Sequence, residues 1–111
     1  MNRINIKPLS VNDAYRGRKY KTKEHNNYIY KVISQLKKIE LSKPPYSLNY
    51  EFGFSSTGSD IDNAIKPITD ILQKRYSFND NQVYELHAIK KIVKKGNEYI
   101  KFNIKSIKID D

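Results

Sequence analysis

Tyr46-Ser47-Leu48-Asn49-Tyr50-Glu51-Phe52-Gly53-Phe54 alternates large apolar and small or polar residues without a break, and soon afterwards the chain reads Asp60-Ile61-Asp62-Asn63-Ala64-Ile65-Lys66. A period of two marks a strand with one face buried. The aromatic face is read as core rather than as a platform for stacked bases, because a small sheet must cover one side. Ser55 to Ser59 forms a polar turn. Beyond it, Ile65, Ile68, Ile71 and Leu72 fall at helical spacing. A helix is therefore predicted from Asp62 or Asn63, either of which would cap it, to about Arg75. Pro67 lies just past the first turn, where a missing N–H is harmless, and predicts a late start or a kink.

Towards the N-terminus, residues 2–7 alternate with Ile4 and Ile6 on one face, and Pro8 ends this short strand. Residues 9–22 read as a loop. Tyr28, Ile29, Val32, Ile33, Leu36 and Ile39 give a second helix, from about Thr22 to Ile39, with Thr22 as N-cap. His25 is assigned to its surface, since no other His or acid stands at a metal-ligand spacing from it. Lys43-Pro44-Pro45 breaks that helix.

Towards the C-terminus, Tyr76 to Gln82 is a polar loop carrying Asp80, followed by a strand from Val83 to about Val93. His87 shares strand parity with Glu85 and is read as structural. Lys94-Lys95-Gly96-Asn97 reads as a hairpin turn. Ile100, Phe102 and Ile104 alternate, the parity then slips to Ile107 and Ile109, and a bulge near Ser106 is expected. Asp110 and Asp111 read as a frayed tail. These elements predict one α+β domain over residues 1–111, with a small, mainly antiparallel or mixed sheet and two principal helices.

The formal net charge is +9, but it is unevenly placed. Residues 1–43 hold eleven Lys/Arg against three Asp/Glu, residues 44–89 three against six, and residues 90–111 seven against three. An acidic centre between basic ends suits a polyanionic partner, and nucleic acid is the commonest; a Lys-rich composition bias is the competing explanation. Arg16, Arg18, Lys19 and Lys21 alternate with Tyr15 and Tyr20, a pattern that grips phosphates and stacks on unpaired bases, or else a solvated loop pinned by its tyrosines. No apolar run is long enough to span a bilayer, no signal-peptide pattern is present, and the absence of cysteine excludes disulfides and thiolate zinc sites. A cytoplasmic protein is expected.

The acids at the centre invite chemistry. Residues i and i+2 of an extended segment point the same way with Cα atoms ~6–7 Å apart, so Asp60 and Asp62 offer two carboxylates to one small volume. Mg²⁺ takes such oxygens, keeps several waters and completes its shell with substrate phosphate. Asp80 is expected to supply a third carboxylate. Lys66, four residues after Asp62, would neutralise charge on the phosphate or orient the attacking water. Asn63 is assigned to capping and Asp70 to an ion pair with Lys66 or Lys74. The competing explanation is that paired acids at a strand-to-helix turn merely cap the helix.

Taken together, Asp60-Ile61-Asp62-Asn63, Lys66, Asp70, Leu72 and then Asn79-Asp80-Asn81-Gln82-Val83 resemble the RusA family of Holliday junction resolvases, phage- and prophage-associated endodeoxyribonucleases. Pro8-Leu9-Ser10-Val11-Asn12, with Tyr15, Arg16 and Gly17 after it, resembles the family's opening. One departure is Asn79, where the family loop often has a first acid beside the one retained here as Asp80. The resemblance implies a small homodimer that binds four-way DNA junctions and nicks opposing strands symmetrically, using Mg²⁺ or Mn²⁺ and no small-molecule cofactor. It places the catalytic and metal-binding carboxylates on Asp60, Asp62 and Asp80 and the catalytic lysine on Lys66. From the basic and aromatic pattern of the N-terminal loop, Asn12, Tyr15, Arg16, Arg18, Lys19 and Lys21 are expected to face DNA. The alternatives are a non-catalytic nucleic-acid-binding module and a nuclease for flaps or forks.

Overall fold

The structure is a computed structural model that describes residues 1–16 and 20–108, with the backbone alone for residues 15, 16, 20 and 21. In chain order the elements are β1 (Asn2–Ile4), α1 (Val11–Ala14), β2 (Tyr15–Arg16), β3 (Tyr20–Lys21), α2 (Lys23–Ile33), β4 (Tyr46–Phe54), α3 (Ile61–Tyr76), a single 3₁₀ turn (Asp80–Gln82), β5 (Val83–Ile92) and β6 (Tyr99–Ser106). The main sheet has the order β1-β6-β4-β5. β4 runs parallel to β5 and antiparallel to β6, and β1 runs antiparallel to β6. The α+β class and the mixed sheet agree with the sequence.

The aromatic face of β4 is the core. Leu48, Tyr50 and Phe52 are almost fully buried, against Ile68 and Leu72 of α3 and beside Ile100 and Phe102 of β6. The Tyr50 hydroxyl meets the Thr69 hydroxyl at 2.6 Å and the Tyr46 hydroxyl donates to the Ser42 carbonyl at 2.7 Å, which satisfies the polar ends that this face brings inside. Burial pushes the Tyr50 hydroxyl's pKa up, so it stays neutral. α3 runs unbroken through Pro67, starting at Ile61 rather than late. It ends where Ser77 takes a left-handed conformation (φ 55°) and its N–H returns to the Gln73 carbonyl.

Several expectations need correction. Lys94 to Asn97 does turn, with Gly96 at φ 97°, but it does not join neighbours in the sheet, because β4 lies between β5 and β6. β4 to β5 is instead a parallel crossover through α3, which a hairpin-based reading of sequence cannot anticipate. No bulge occurs near Ser106, since β6 pairs with β4 in unbroken register to that residue and Ile107 then bonds the Pro45 carbonyl; Ile109, Asp110 and Asp111 lie outside the described residues. α2 stops at Ile33. The Gln35 amide bonds Lys31 and the backbone of Asn5, which diverts the chain, while Leu36 and Ile39 still pack on the core. Residues 9–22 hold a short helix and a two-stranded ribbon rather than only a loop.

His25 is buried, not on the surface, with Nδ1 at 3.0 Å from the Ala14 carbonyl oxygen. It begins the buried stripe that Tyr28 and Val32 continue. Thr22 does cap α2, accepting from the His25 N–H at 3.1 Å, and its hydroxyl donates to the Asp13 carbonyl at 2.7 Å. The start of α2 thus ties down the end of α1.

On the other sheet face, Gly53 makes room for the Tyr99 ring. A Cβ at residue 53 would overlap that ring. Tyr99 is not free to leave: its hydroxyl donates to Glu51 at 2.6 Å, and the Arg3 guanidinium lies 4.3 Å from the ring centroid. The Tyr99 hydroxyl, with Lys101 at 3.6 Å, holds the Glu51 carboxyl below the usual range. We expect Gly53→Ala to destabilise the fold by about 1–3 kcal/mol in urea unfolding, the cost of forcing a packed ring to move; a loss below about 0.5 kcal/mol would mean that Tyr99 swings away freely.

Candidate active site

Asp60 stands where the chain leaves the Ser55–Ser59 turn and enters α3. It occupies the N-cap position with extended backbone (φ −96°, ψ 129°), yet its side chain makes no capping hydrogen bond. This differs from the expectation that Asp62 or Asn63 caps the helix. Asn63 lies a turn inside and points its amide back to Asp60 at 3.5 Å, a weak contact. Asp60 and Asp62 are both exposed, with Asp62 in the first helical turn.

The turn before Asp60 is fastened from an unforeseen direction. Lys90 of β5 donates from Nζ to the Thr57 carbonyl at 2.8 Å and also to the Ser59 carbonyl, and its ammonium lies 5.8 Å from the centroid of the Phe54 ring. One side chain thereby holds the backbone on which Asp60 is mounted. In the sequence Lys90 is one of a basic run, and nothing in its spacing from Asp60 reveals this; the parallel pairing of Phe52 with Lys90 does.

Asp60 borders a cleft of about 320 Å³ whose other walls include Ser10, Asn12, Asp13, Ser59 and Asn63. The structure therefore brings the expected DNA contact Asn12 to Asp60, along with a further acid, Asp13. The ribbon formed by β2 and β3 follows directly on α1, with Tyr15 opposite Lys21 and Arg16 opposite Tyr20. Arg18 and Lys19 lie outside the described residues.

Lys66 and Asp80 complete the set differently from expectation. Lys66 pairs with Asp70 at 3.4 Å, i to i+4 along α3, which is one of the two partners expected for Asp70. Asp80 accepts from the Gln73 amide. Gln73 is eleven residues beyond Asp62, roughly 16 Å along a helix axis. Within one chain, then, Asp80 does not share the small volume of Asp60 and Asp62. Among the described residues no three His, Asp or Glu side chains are grouped to hold a metal. Asp80 instead lines a second cleft, of about 430 Å³, with Asp70, Gln73, Lys74 and His25. The Gln73 hydrogen bond first, then its own backbone N–H and the Lys66 charge, hold the Asp80 carboxyl below the usual range. His87 sits exposed at 3.8 Å from Glu85 and away from both clefts.

The residues present fit a hard divalent cation in an open manner. Asp60 and Asp62 supply oxygen only, and neither forms an ion pair among the described residues. Two carboxylates with water and phosphate filling the remaining positions is how Mg²⁺ is commonly held.

No curated protein matches the chain. A family model described as endodeoxyribonuclease RusA matches residues 10–104, a span that contains the Asp60 turn, all of α3, Asp80 and most of the sheet. The chain belongs to the RusA endodeoxyribonuclease family.

Proposed function

We propose that the protein is a metal-dependent endodeoxyribonuclease that resolves four-way DNA junctions by paired nicks, acting as a homodimer. The observation that carries this is the Asp60 carboxylate, which sits at a helix N-terminus without serving the helix. Had the acids existed to cap α3, Asp60 would accept a backbone N–H, and the non-catalytic binding module would be the simpler account. The cleft beside Asp60, walled in part by Asn12 and Asp13 of the short helix that leads into the ribbon, supplies the second support.

Asp60 and Asp62 would hold Mg²⁺ or Mn²⁺, which polarises a phosphoryl oxygen and lowers the pKa of a bound water. The chain's own residues set the stage. Lys90 fixes the turn, so that Asp60 keeps its direction when a phosphate arrives. Lys66 is exposed and ion-paired with Asp70, so its ammonium can turn to a phosphate oxygen and balance the charge that builds during attack. Asp80, kept ionised by Gln73, acts as a third acid whose place in the reaction depends on how subunits and DNA come together. Asn12 and the Tyr15, Arg16 and Lys21 ribbon, with Arg18 and Lys19, bear on the DNA backbone and so contribute salt-dependent affinity.

Asp60→Asn and Asp62→Asn should each lower junction cleavage by at least about 10³-fold, the scale seen when a transition-state charge contact is removed, while gel-shift affinity in Ca²⁺ or EDTA stays within about threefold. Asp80→Asn should do the same; a variant that lost binding and cutting together would mark that acid as structural. Lys66→Ala should depress single-turnover cleavage more than binding, and a pure affinity defect would remove it from the chemistry. For Lys90, Met keeps the stem but cannot bond Thr57 and Ser59. Lys90→Met is expected to raise the Mg²⁺ concentration needed for half-maximal cleavage by about tenfold or more, the loss of two charge-assisted bonds, with Lys90→Arg restoring part of it. An unchanged metal requirement in a folded Lys90→Met protein would show that the turn holds itself.

A further inference from the structure

Lys7 belongs to two clefts at once. It is a wall of the Asp60 cleft, and the only basic side chain among that cleft's described walls, whose other charged members are Asp13 and Asp60. It also lines a neighbouring cleft of about 350 Å³, together with Glu24, Asn27 and Lys31 of α2. The two clefts therefore meet at this lysine. Lys7 and Lys31 are both exposed, and neither forms an ion pair among the described residues, although Glu24 borders the second cleft. With two lysines against Glu24 the second cleft is net basic, whereas the Asp60 cleft, with Lys7 against two acids, is net acidic.

The backbone under both lysines is fixed. Ile6 packs on the core and Pro8 is buried, so Lys7 is mounted between two anchored residues. A residue that precedes proline is also confined to extended backbone. On α2, Asn27 and Lys31 are four residues apart and share one helical face. One side chain joins the two mounts. Gln35 accepts from the Asn5 N–H at 2.8 Å, and its amide donates to the Asn5 carbonyl at 3.1 Å and to the Lys31 carbonyl at 3.2 Å. The stretch that carries Lys7 and the turn of helix that carries Lys31 are thereby held at a set separation.

A DNA strand with one phosphate at Asp60 has to leave that cleft, and each further phosphate is an anion that gains from a cation or a donor. Lys7, then the Asn27 amide and Lys31, supply these groups in a continuous path from the acids. We infer that the two clefts form one track for the cleaved strand, in which Lys7 and Lys31 bind phosphates flanking the one held at Asp60. An ammonium is a point charge that meets a phosphate without reading a base. The track therefore adds affinity and aligns the strand, and it adds no sequence preference. It takes the strand over the outer face of α2, a direction that the basic pattern of residues 15–21 does not indicate. The inference deepens the nuclease function proposed above and rests on it for the phosphate placed at Asp60.

The test reads binding of a four-way junction in Ca²⁺ or EDTA, so that failure of the track and failure of the nuclease function can be told apart. Lys7→Met and Lys31→Met should each lower the slope of log affinity against log salt by about 0.9, one phosphate apiece. Each should also weaken binding by about fivefold, and Lys31→Arg should keep the wild-type slope. Lys38→Met, at an exposed lysine in neither cleft, should leave the slope unchanged. Single neutral methylphosphonates stepped along the strand from the branch point then locate the contacts. Lys7→Met should lose the wild type's sensitivity at one position and Lys31→Met at another close by. Unchanged slopes in both variants, or an equal loss in Lys38→Met, overturn the inference, because the lysines then contribute net charge alone. A methylphosphonate profile identical in wild type and both variants overturns it as well.

Discussion

The parallel pairing of β4 with β5 is the constraint on which the rest of the molecule depends. Two parallel neighbours cannot be joined by a turn. The chain has to travel back along the whole strand, and α3 is the element that does so. Its inward face, with Ile68 and Leu72, then covers the aromatic side of β4 and makes the core. Its two ends fix the acids. Asp60 enters at one end of the sheet and Asp80 emerges near the other. A single decision about strand direction therefore produces the packing and also separates residues that a linear reading places together.

The same crossover explains why the site is fastened where it is. With β5 beside β4, Lys90 falls opposite Phe52 and reaches the turn that follows Phe54. At the other side of that turn, α1 is anchored by Thr22 and His25 at the start of α2, which brings Asn12 and Asp13 up to Asp60. Three segments far apart in sequence thus converge on one exposed carboxylate. That is a large investment of polar contacts around a residue that contributes no cap to its own helix.

Much of this was legible in the chain. The strand at 46–54, both principal helices and the Thr22 cap follow from periodicity and local chemistry, because they depend on near neighbours. The recurring acids, with Lys66 and the 79–83 loop, suffice for the family. What stayed hidden depends on distant pairing. Lys94 to Asn97 has the residues of a hairpin turn, and only the sheet order reveals that β4 intervenes. His25 could have been found by extending the apolar stripe of Tyr28 and Val32 back by three residues, where a histidine with a carbonyl to bond substitutes for an apolar side chain. Lys90 had no such signal. Nor did the spacing between Asp62 and Asp80 disclose the helical distance between them, since sequence separation says nothing about which way a crossover runs.

The charge distribution completes the picture. The acidic centre is exposed and lies amid a basic chain, a charge distribution that suits a DNA partner, and in the proposed reaction a cation would stand between the phosphate and the Asp60 and Asp62 carboxylates. The most direct measurement is to incubate labelled four-way junction, flap, fork and linear duplex side by side with the protein in Mg²⁺, Mn²⁺ or EDTA, and to map the cuts on each strand. The account predicts metal-dependent, symmetrically paired nicks in the junction, with linear duplex left intact. No incision of any branched substrate in either metal, or equal cutting in EDTA, would contradict it.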